Sequence, residues 1–308
     1  MREMKVIGFL LLVLLPVTAS GQTIRARAAT RVKPADNGSY LLTGVVPGTR
    51  LLLVTEEGYK GLSLLDSRRG QLIRISSDAG AGYEPAVTSD GKSVIYRSDV
   101  FSEQKKYTSL YNYNIVTGEK VTLLEKERGV LPAAVSGNRI MIKSDKKSRV
   151  ESTGQAELKG SGNDIFVVIE DLIPVLYTGG ERKTLKPSGE GYYIWVSLSP
   201  DRSKIVYNFQ GRNTFVCSTE GRILYDLGRI NAPKWLNDDI IIGMDDRDDG
   251  HRVVSSEIVY CSLPAGKRGY LTNTGERTEM YPYPFPGEKK LAFSTNGGEI
   301  YVMKLRVR

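Results

Sequence analysis

The residues best suited to chemistry in this sequence are four aspartates that immediately precede Gly250. They are Asp245, Asp246, Asp248 and Asp249. Hard cations such as Ca²⁺ take several oxygen ligands from one flexible loop, and alternating aspartates before a glycine open an EF-hand loop. Arg247 interrupts the series here, and no helical pattern flanks it. We therefore interpret the segment as a turn between strands with solvated carboxylates, and we assign no metal ligand and no cofactor.

Hydrolytic catalysis is not indicated by the other reactive residues. A serine triad needs a base beside its nucleophile, but His251 is the only histidine and no Gly-x-Ser-x-Gly segment occurs. The glycine-rich segments GAGYEP and GSGND lack the Gly-Lys-Ser/Thr ending of a phosphate loop. Cys217 and Cys261 lie in strand-like runs, and the sequence leaves two alternatives for them, a disulfide or two buried free thiols. The sequence predicts no catalytic residue and favours a protein that is not an enzyme.

The amino terminus resembles a secretory signal peptide. A short basic stretch precedes an apolar run from Val6 to Val17, and Ala19, Ser20 and Gly21 follow it. A run of about 12 residues is shorter than the roughly 20 that span a bilayer. We expect residues 1–21 to be removed, leaving a periplasmic or secreted protein without a transmembrane anchor.

The charge of the chain gives little support to nucleic-acid binding. The formal net charge is +8, and lysine and arginine are scattered through turns and strand ends. A phosphate-binding surface normally concentrates these residues in a patch or stripe. We therefore predict that the protein has no nucleic-acid partner.

A turn followed directly by a β-branched strand recurs along the chain. The six instances begin at Val45, Thr88, Val135, Leu198, Leu236 and Phe285. Their first strand residues are 43, 46, 65, 35 and 51 positions apart. Periods of roughly 40 to 50 residues are typical of propellers. We explain the longest interval by a polar insertion at about residues 146–164.

The repeats predict small antiparallel sheets. Asp, Asn, Gly and Pro favour the turns, while Val, Ile, Leu and Tyr favour the strands. Further strands follow most hairpins, and a lone four-stranded blade cannot bury its faces. We expect an all-β, six-bladed β-propeller over residues 22–308. Its last blade is one strand short, and residues 23–32 could supply that strand and remove an exposed sheet edge.

The repeats also resemble a known family. EPAVTSDGKSVIYRSD and APKWLNDDIIIGMDD, the latter followed by SSEIVYCSLPAGKRGYLTN, are similar to the WD40-like repeat of the TolB propeller family. That repeat contains a Trp-Ser-Pro-Asp-Gly turn and a Lys-x-Ile-x-Phe strand. The resemblance covers most of the mature chain and implies a periplasmic propeller with a protein or peptide partner in the cell envelope. Such motifs specify architecture better than function.

The loops before the innermost strands provide the candidate binding residues. In this interpretation they gather around a central channel and carry Tyr83, Glu84, Tyr193, Trp195, Lys234, Trp235, Tyr281 and Tyr283. Aromatic side chains near a channel mouth suit the capture of a peptide or a sugar. Packing between blades is the alternative, because both tryptophans match the position of the family's structural tryptophan.

Two classes of function remain open. The first is a non-catalytic binding or scaffold propeller that recognises a protein or peptide; carbohydrate recognition is a variant of it. The second is a propeller enzyme, such as a metal-dependent lactonase or lyase. Three or more Asp or Glu side chains converging on the axis would favour the enzyme.

Overall fold

The computed structural model describes residues 23–152, 164–275 and 277–307. The predicted signal peptide lies outside these residues. Within them, no helix has the length and apolar character needed to cross a membrane. The single helical element is a 3-10 turn at Glu57–Tyr59 in the described part of the chain.

Strands make up nearly all of the regular structure. Two short strands come first, β1 (Ile24–Ala26) and β2 (Thr30–Val32). Blade 1 contains β3 (Leu41–Val45), β4 (Leu51–Thr55), β5 (Leu62–Asp66) and β6 (Leu72–Ser76). Blade 2 contains β7 (Ala86–Val87), β8 (Ser93–Ser102), β9 (Lys105–Asn114) and β10 (Lys120–Glu127). Blade 3 contains β11 (Ala134–Ser136), β12 (Arg139–Lys143) and β13 (Ser148–Ser152).

The remaining blades follow in chain order. Blade 4 contains β14 (Ile165–Glu170), β15 (Ile173–Thr178) and β16 (Glu181–Thr184). Blade 5 contains β17 (Tyr193–Leu198), β18 (Lys204–Phe209), β19 (Asn213–Ser218) and β20 (Ile223–Asp226). Blade 6 contains β21 (Asn231–Asn237), β22 (Ile240–Asp248), β23 (Val253–Ser262) and β24 (Lys267–Tyr270). Blade 7 contains β25 (Glu279–Pro284), β26 (Lys290–Thr295) and β27 (Ile300–Val307), joined by β1 and β2.

These sheets form a closed β-propeller with seven blades. The first strand of each sheet contacts the first strand of the next, and β25 contacts β3 to complete the ring. All the strand pairs within the sheets are antiparallel. The all-β propeller prediction is therefore confirmed, but the predicted number of six blades is wrong for the residues described.

The additional blade is blade 4, which lies inside the 65-residue interval. Asp164, just before β14, pairs with Arg139 at the start of β12, and Glu170 at the end of β14 lies 3.8 Å from the Lys143 ammonium. Strand β14 thus runs in the same direction as β12, which is the second strand of blade 3. The turn before the second strand of blade 4 is only the two residues Asp171 and Leu172, which is shorter than the turns used to count the repeats.

The predicted insertion at 146–164 is also partly ordered as sheet. Residues Ser148–Ser152 form β13, which pairs with β12 from Arg139 to Lys143. Residues 153–163 lie outside the described part of the chain. Polar composition misled the prediction here, because an outer strand with one face in solvent needs few apolar residues.

Hydrogen bonds within the recurrent turn explain its sequence. In blade 2 the Asp90 carboxylate accepts from the Thr88 hydroxyl at 2.6 Å and from the Lys92 amide at 3.0 Å. The Thr88 hydroxyl oxygen in turn accepts from the Ser93 amide at 3.1 Å. Gly91 has a φ of 68°, a conformation that costs glycine little. Side-chain acceptors thus replace the backbone partners that the turn leaves unsatisfied.

The amino-terminal strands close the ring as the sequence predicted, although as two short strands rather than one. Strand β1 pairs with residues 305–307 of β27, and β2 pairs with residues 300–302. Ile24 and Val32 are each only 4% exposed and join two different core clusters. The closing segment therefore contributes both backbone pairing and buried apolar surface.

Interblade packing also accounts for the two cysteines. Both are free and buried, Cys217 on β19 of blade 5 and Cys261 on β23 of blade 6. Burial raises the pKa of the Cys217 thiol to about 12 and that of the Cys261 thiol to about 11. Both thiols are consequently protonated and unreactive near neutral pH.

Candidate functional site at the channel mouth

Four loop-to-strand junctions have the same unusual backbone conformation. Glu84, Trp195, Ala232 and Tyr281 have φ values of 47°, 53°, 45° and 52° at the start of the innermost strands of blades 2, 5, 6 and 7. Proline follows three of the four. In blades 5, 6 and 7 the pairing with the second strand shifts register at this point. Irregularities of this kind redirect side chains, and they are frequent beside functional sites.

An acidic and a basic side chain at this end of the ring influence each other's charge without forming a direct ion pair. Glu84 comes from blade 2 and Lys234 from β21 of blade 6. Glu84 is exposed to solvent and Lys234 is half-buried. Burial raises the pKa of Glu84, whereas the charges of Lys234 and Arg97 act to lower it. Burial lowers the pKa of Lys234, whereas the Glu84 carboxylate acts to raise it. The two charges thus stabilise each other in surroundings that disfavour either alone.

Tyr283 of blade 7 lies beside this pair, and Tyr281 lies near Tyr283. The Lys234 ammonium lies 5.1 Å from the centre of the Tyr283 ring, within the range of a cation–π interaction. Burial, followed by the nearby Glu84 carboxylate, raises the pKa of Tyr283. Burial, followed by the neighbouring Tyr59 and Tyr283, raises the pKa of Tyr281. Both phenols are neutral hydrogen-bonding groups at neutral pH.

Two further residues at this mouth were not predicted from the sequence. Tyr59, in the 3-10 turn of blade 1, packs edge-to-face against Tyr83 with ring centres 5.3 Å apart. Tyr59 is 42% exposed and Tyr83 is 39% exposed. The Arg97 guanidinium lies 5.5 Å from the centre of the Tyr83 ring. We name Tyr59, Tyr83, Glu84, Lys234, Tyr281 and Tyr283 the channel-mouth group.

The sequence contained a weak signal for one of the two missed residues. Tyr59 follows a glycine in the connection between a second and a third strand, and in a propeller such connections lie on the same face as the loops between blades. Inspection of both loop types would have found it. Arg97 gave no signal, because it occupies the apolar run SVIYRSD and is 6% exposed.

A cavity of about 650 Å³ continues from the channel-mouth group towards blades 3 and 4. Tyr83 and Arg97 form one side, and Leu131, Pro132 and Lys143 lie on the blade 3 side. The Arg97 side chain is fixed by Asp99, whose carboxylate lies 3.1 Å from the Arg97 Nε and 2.9 Å from the Lys106 ammonium. The volume falls within the roughly 300–1,000 Å³ of typical ligand sites.

Three of the predicted site residues pack against core clusters, and of these Tyr193 is fully buried while Trp195 and Trp235 are half-buried. Tyr193 is completely buried among Leu176, Ile205 and Tyr207, and its hydroxyl donates to the Gly189 carbonyl at 2.8 Å. The Trp235 indole donates across a blade boundary to the Ser197 carbonyl at 3.3 Å. Trp195 packs on the cluster of Ala232, Met244 and Met280. For Tyr193, Trp195 and Trp235 the packing alternative describes the structure.

The aspartate-rich segment forms the distal part of the long β22–β23 hairpin. Its carboxylates have separate partners. Asp245 lies 2.7 Å from Arg268, and buried Asp246 accepts from the Asn231 amide at 2.8 Å. Asp249 accepts from the backbone amides of His251 and Arg252 at the tip. Across the described residues, no three His, Cys, Asp or Glu side chains are grouped so that they could hold a metal ion.

The fold and this mouth define the chain as a seven-bladed β-propeller. No family model matches the sequence, and no curated protein matches it. Among solved structures, the chain is similar to an oligogalacturonate lyase from Vibrio parahaemolyticus, with 14% sequence identity and a TM-score of 0.45. The similarity covers 83% of this chain and 74% of the lyase.

Proposed function

We propose that this protein is a periplasmic or secreted, non-catalytic propeller of the TolB-like kind that binds a protein or peptide partner at the channel mouth. The observation that carries the proposal is the channel-mouth group itself. Exposed tyrosine rings from blades 1 and 2 flank one carboxylate and one ammonium group, and a cavity adjoins them. The signal-peptide pattern supports export.

The chemistry of this group fits a polypeptide ligand. Tyrosine offers a rigid apolar face together with a hydroxyl, and it is enriched at the centres of protein interfaces. Glu84 and Lys234 add one acceptor and one donor in surroundings that are only partly solvated. A short loop or chain terminus with an apolar side chain flanked by polar groups would satisfy both features.

A peptide selection tests the proposal. The mature protein is used to select from a displayed peptide library, and the selected peptides are measured by calorimetry against wild type, Tyr83→Ala and Tyr270→Ala. Tyr83→Ala should weaken binding at least tenfold, since removal of a central aromatic residue commonly costs about 2 kcal/mol. Tyr270 is the matched control, because it is 58% exposed but lies on the outermost strand of blade 6.

The peptide selection can also contradict the proposed function. The proposal is wrong if no selected peptide depends on Tyr83, or if Tyr270→Ala weakens binding equally. Capture from a native cell-envelope extract with wild type and Tyr83→Ala in parallel then identifies the natural partner. A glycan array probed with the same variants would reveal carbohydrate recognition by the same tyrosines.

A further inference from the structure

A second concave site lies between the outer edges of blades 7 and 1, away from the channel mouth. Its volume is about 750 Å³. Its walls are the segment from Arg27 to Lys33, the turn from Ser67 to Gly70, and residues of β27. We name it the rim groove. None of its lining residues belongs to the channel-mouth group.

The rim groove is lined by positive charge. Its cationic residues are Arg27, Arg31, Lys33, Arg68, Arg69 and Lys304. All six are exposed, and no acidic side chain is among the described lining residues. Arg31 pairs with Glu299 at 2.8 Å. For the other five, the described part of the chain places no carboxylate within ion-pair distance.

The two walls of the groove are held together by backbone contacts. The Ala35 amide donates to the Gly70 carbonyl at 2.8 Å. A Cβ atom at Gly70, whose φ is 71°, would lie 2.2 Å from the Lys33 carbonyl oxygen. The turn therefore requires glycine so that Arg68 and Arg69 can lie opposite Lys33. Val32, which is 4% exposed, contributes to an apolar floor.

Like charges around one cavity repel one another, and the cavity concentrates their potential on whatever occupies it. Repulsion among the cationic side chains lowers the stability of the free protein, and an anion bound in the groove relieves that repulsion. Four of the six cations are arginines, whose planar donor groups pair with phosphate through two hydrogen bonds. Thr30 and Ser67 add hydroxyl groups to the lining.

The composition of the lining also discriminates among anionic ligands. Single-stranded nucleic acids are held largely by stacking of bases on aromatic rings. The described lining residues include no aromatic side chain. We propose that the rim groove binds a ligand that carries two or more clustered phosphate groups, either free in solution or on a lipid headgroup.

The test uses the mature full chain and sodium tripolyphosphate as the probe. Calorimetry compares wild type with Arg68→Gln/Arg69→Gln. The control is Arg222→Gln/Lys267→Gln, which removes the same charge from the turn before β20 in blade 5 and from the first residue of β24 in blade 6. Sodium sulfate at matched ionic strength measures nonspecific screening. Thermal unfolding of each variant verifies that the fold is kept.

We expect saturable one-to-one binding of tripolyphosphate that is at least tenfold weaker in the groove variant and unchanged in the control. Absence of saturable binding, or an equal loss in both variants, would overturn the proposal. Co-sedimentation with vesicles of cardiolipin, whose headgroup carries two phosphates, in phosphatidylcholine distinguishes the source, and phosphatidylglycerol vesicles of equal surface charge are the single-phosphate control. Vesicle binding that depends on Arg68 and Arg69, together with tripolyphosphate binding, assigns the phosphates to a lipid. Vesicle binding without tripolyphosphate binding would indicate a flat charged surface and contradict the groove.

Discussion

Glu84 and Lys234 come from blades 2 and 6, and at the mouth of the ring the charge of each favours the ionised form of the other without a direct ion pair. Each charge is disfavoured by burial and favoured by the other. The chain separates them by 150 positions, so only closure of the propeller brings them together. The pair therefore depends on the ring as a whole.

This relationship predicts the direction of a pKa change. Glu84→Gln removes the carboxylate that favours the protonated form of Lys234, so the pKa of Lys234 should fall further below its usual value. The pKa is measured by NMR titration of the Lys234 Nζ in protein with labelled lysine. Glu190→Gln is the control, since exposed Glu190 pairs with Lys186. An unchanged or higher Lys234 pKa in Glu84→Gln would refute the interaction.

The closing segment should contribute measurably to stability. Ile24 is 4% exposed and packs in the core cluster shared by blades 6 and 7. Ile24→Ala should lower the free energy of unfolding by about 2–3 kcal/mol, at the low end for buried isoleucine because the segment can partly collapse. Urea unfolding gives the value. Ile73→Ala is the matched control, because Ile73 is 54% exposed on β6. Equal effects of the two substitutions would show that strand β1 does not fasten the ring.

The pH dependence of stability should have a contribution from the blade 5 turn. The Asp201 carboxylate is partly buried, but it accepts from the Ser199 hydroxyl, from the Ser203 amide and hydroxyl, and lies near Lys204. These interactions outweigh burial and lower its pKa from 3.8 to about 2. A carboxyl with a lowered folded-state pKa stabilises the fold above the unfolded value, and this contribution is lost as the pH falls through the folded value.

Asp201→Asn should therefore lower the free energy of unfolding by about 1 kcal/mol at pH 6 and by almost nothing at pH 2. The value at pH 6 is smaller than the pKa shift alone would give, because the side chain is 39% exposed to solvent. Urea unfolding across this pH range measures the difference. Asp239→Asn is the control in the equivalent turn of blade 6, where Asp239 is exposed. A cost for Asp201→Asn that stays constant from pH 6 to pH 2 would contradict the assignment.

The sequence predicted those parts of the fold that are specified locally. The turn at Thr88–Ser93 and its relatives carry their own hydrogen-bonding side chains, so the hairpins and the propeller class could be inferred. The closure by residues 23–32 followed from a missing strand. Contacts between residues far apart in the chain could not be predicted from the sequence. The rim groove joins Arg27 to Arg68 and Lys304, and Arg97 reaches Tyr83 from within an apolar strand.

Blade 4 was missed because its hairpin turn has only two residues and lacks the glycine that would have marked it. Asp171 and Leu172 have φ values of 49° and 63°, and Glu170 pairs with Ile173 across them. Two successive positive φ values define a type I′ turn, which normally selects Asn-Gly or Asp-Gly. The sequence has leucine at the glycine position, so the strain of this turn is balanced by the strands on either side.

This strain gives a final prediction. Leu172 is 56% exposed, so Leu172→Gly removes little packing and relieves the left-handed conformation. A leucine in that conformation costs about 1–2 kcal/mol, of which the greater chain entropy of glycine offsets about half. The free energy of unfolding should rise by about 0.5–1 kcal/mol in urea unfolding. Val116→Gly is the control, because Val116 is exposed without a positive φ and its replacement should lower stability instead. If both substitutions destabilise the protein, the turn at Asp171 and Leu172 is not of type I′, and the division of the long interval into two blades loses its local explanation.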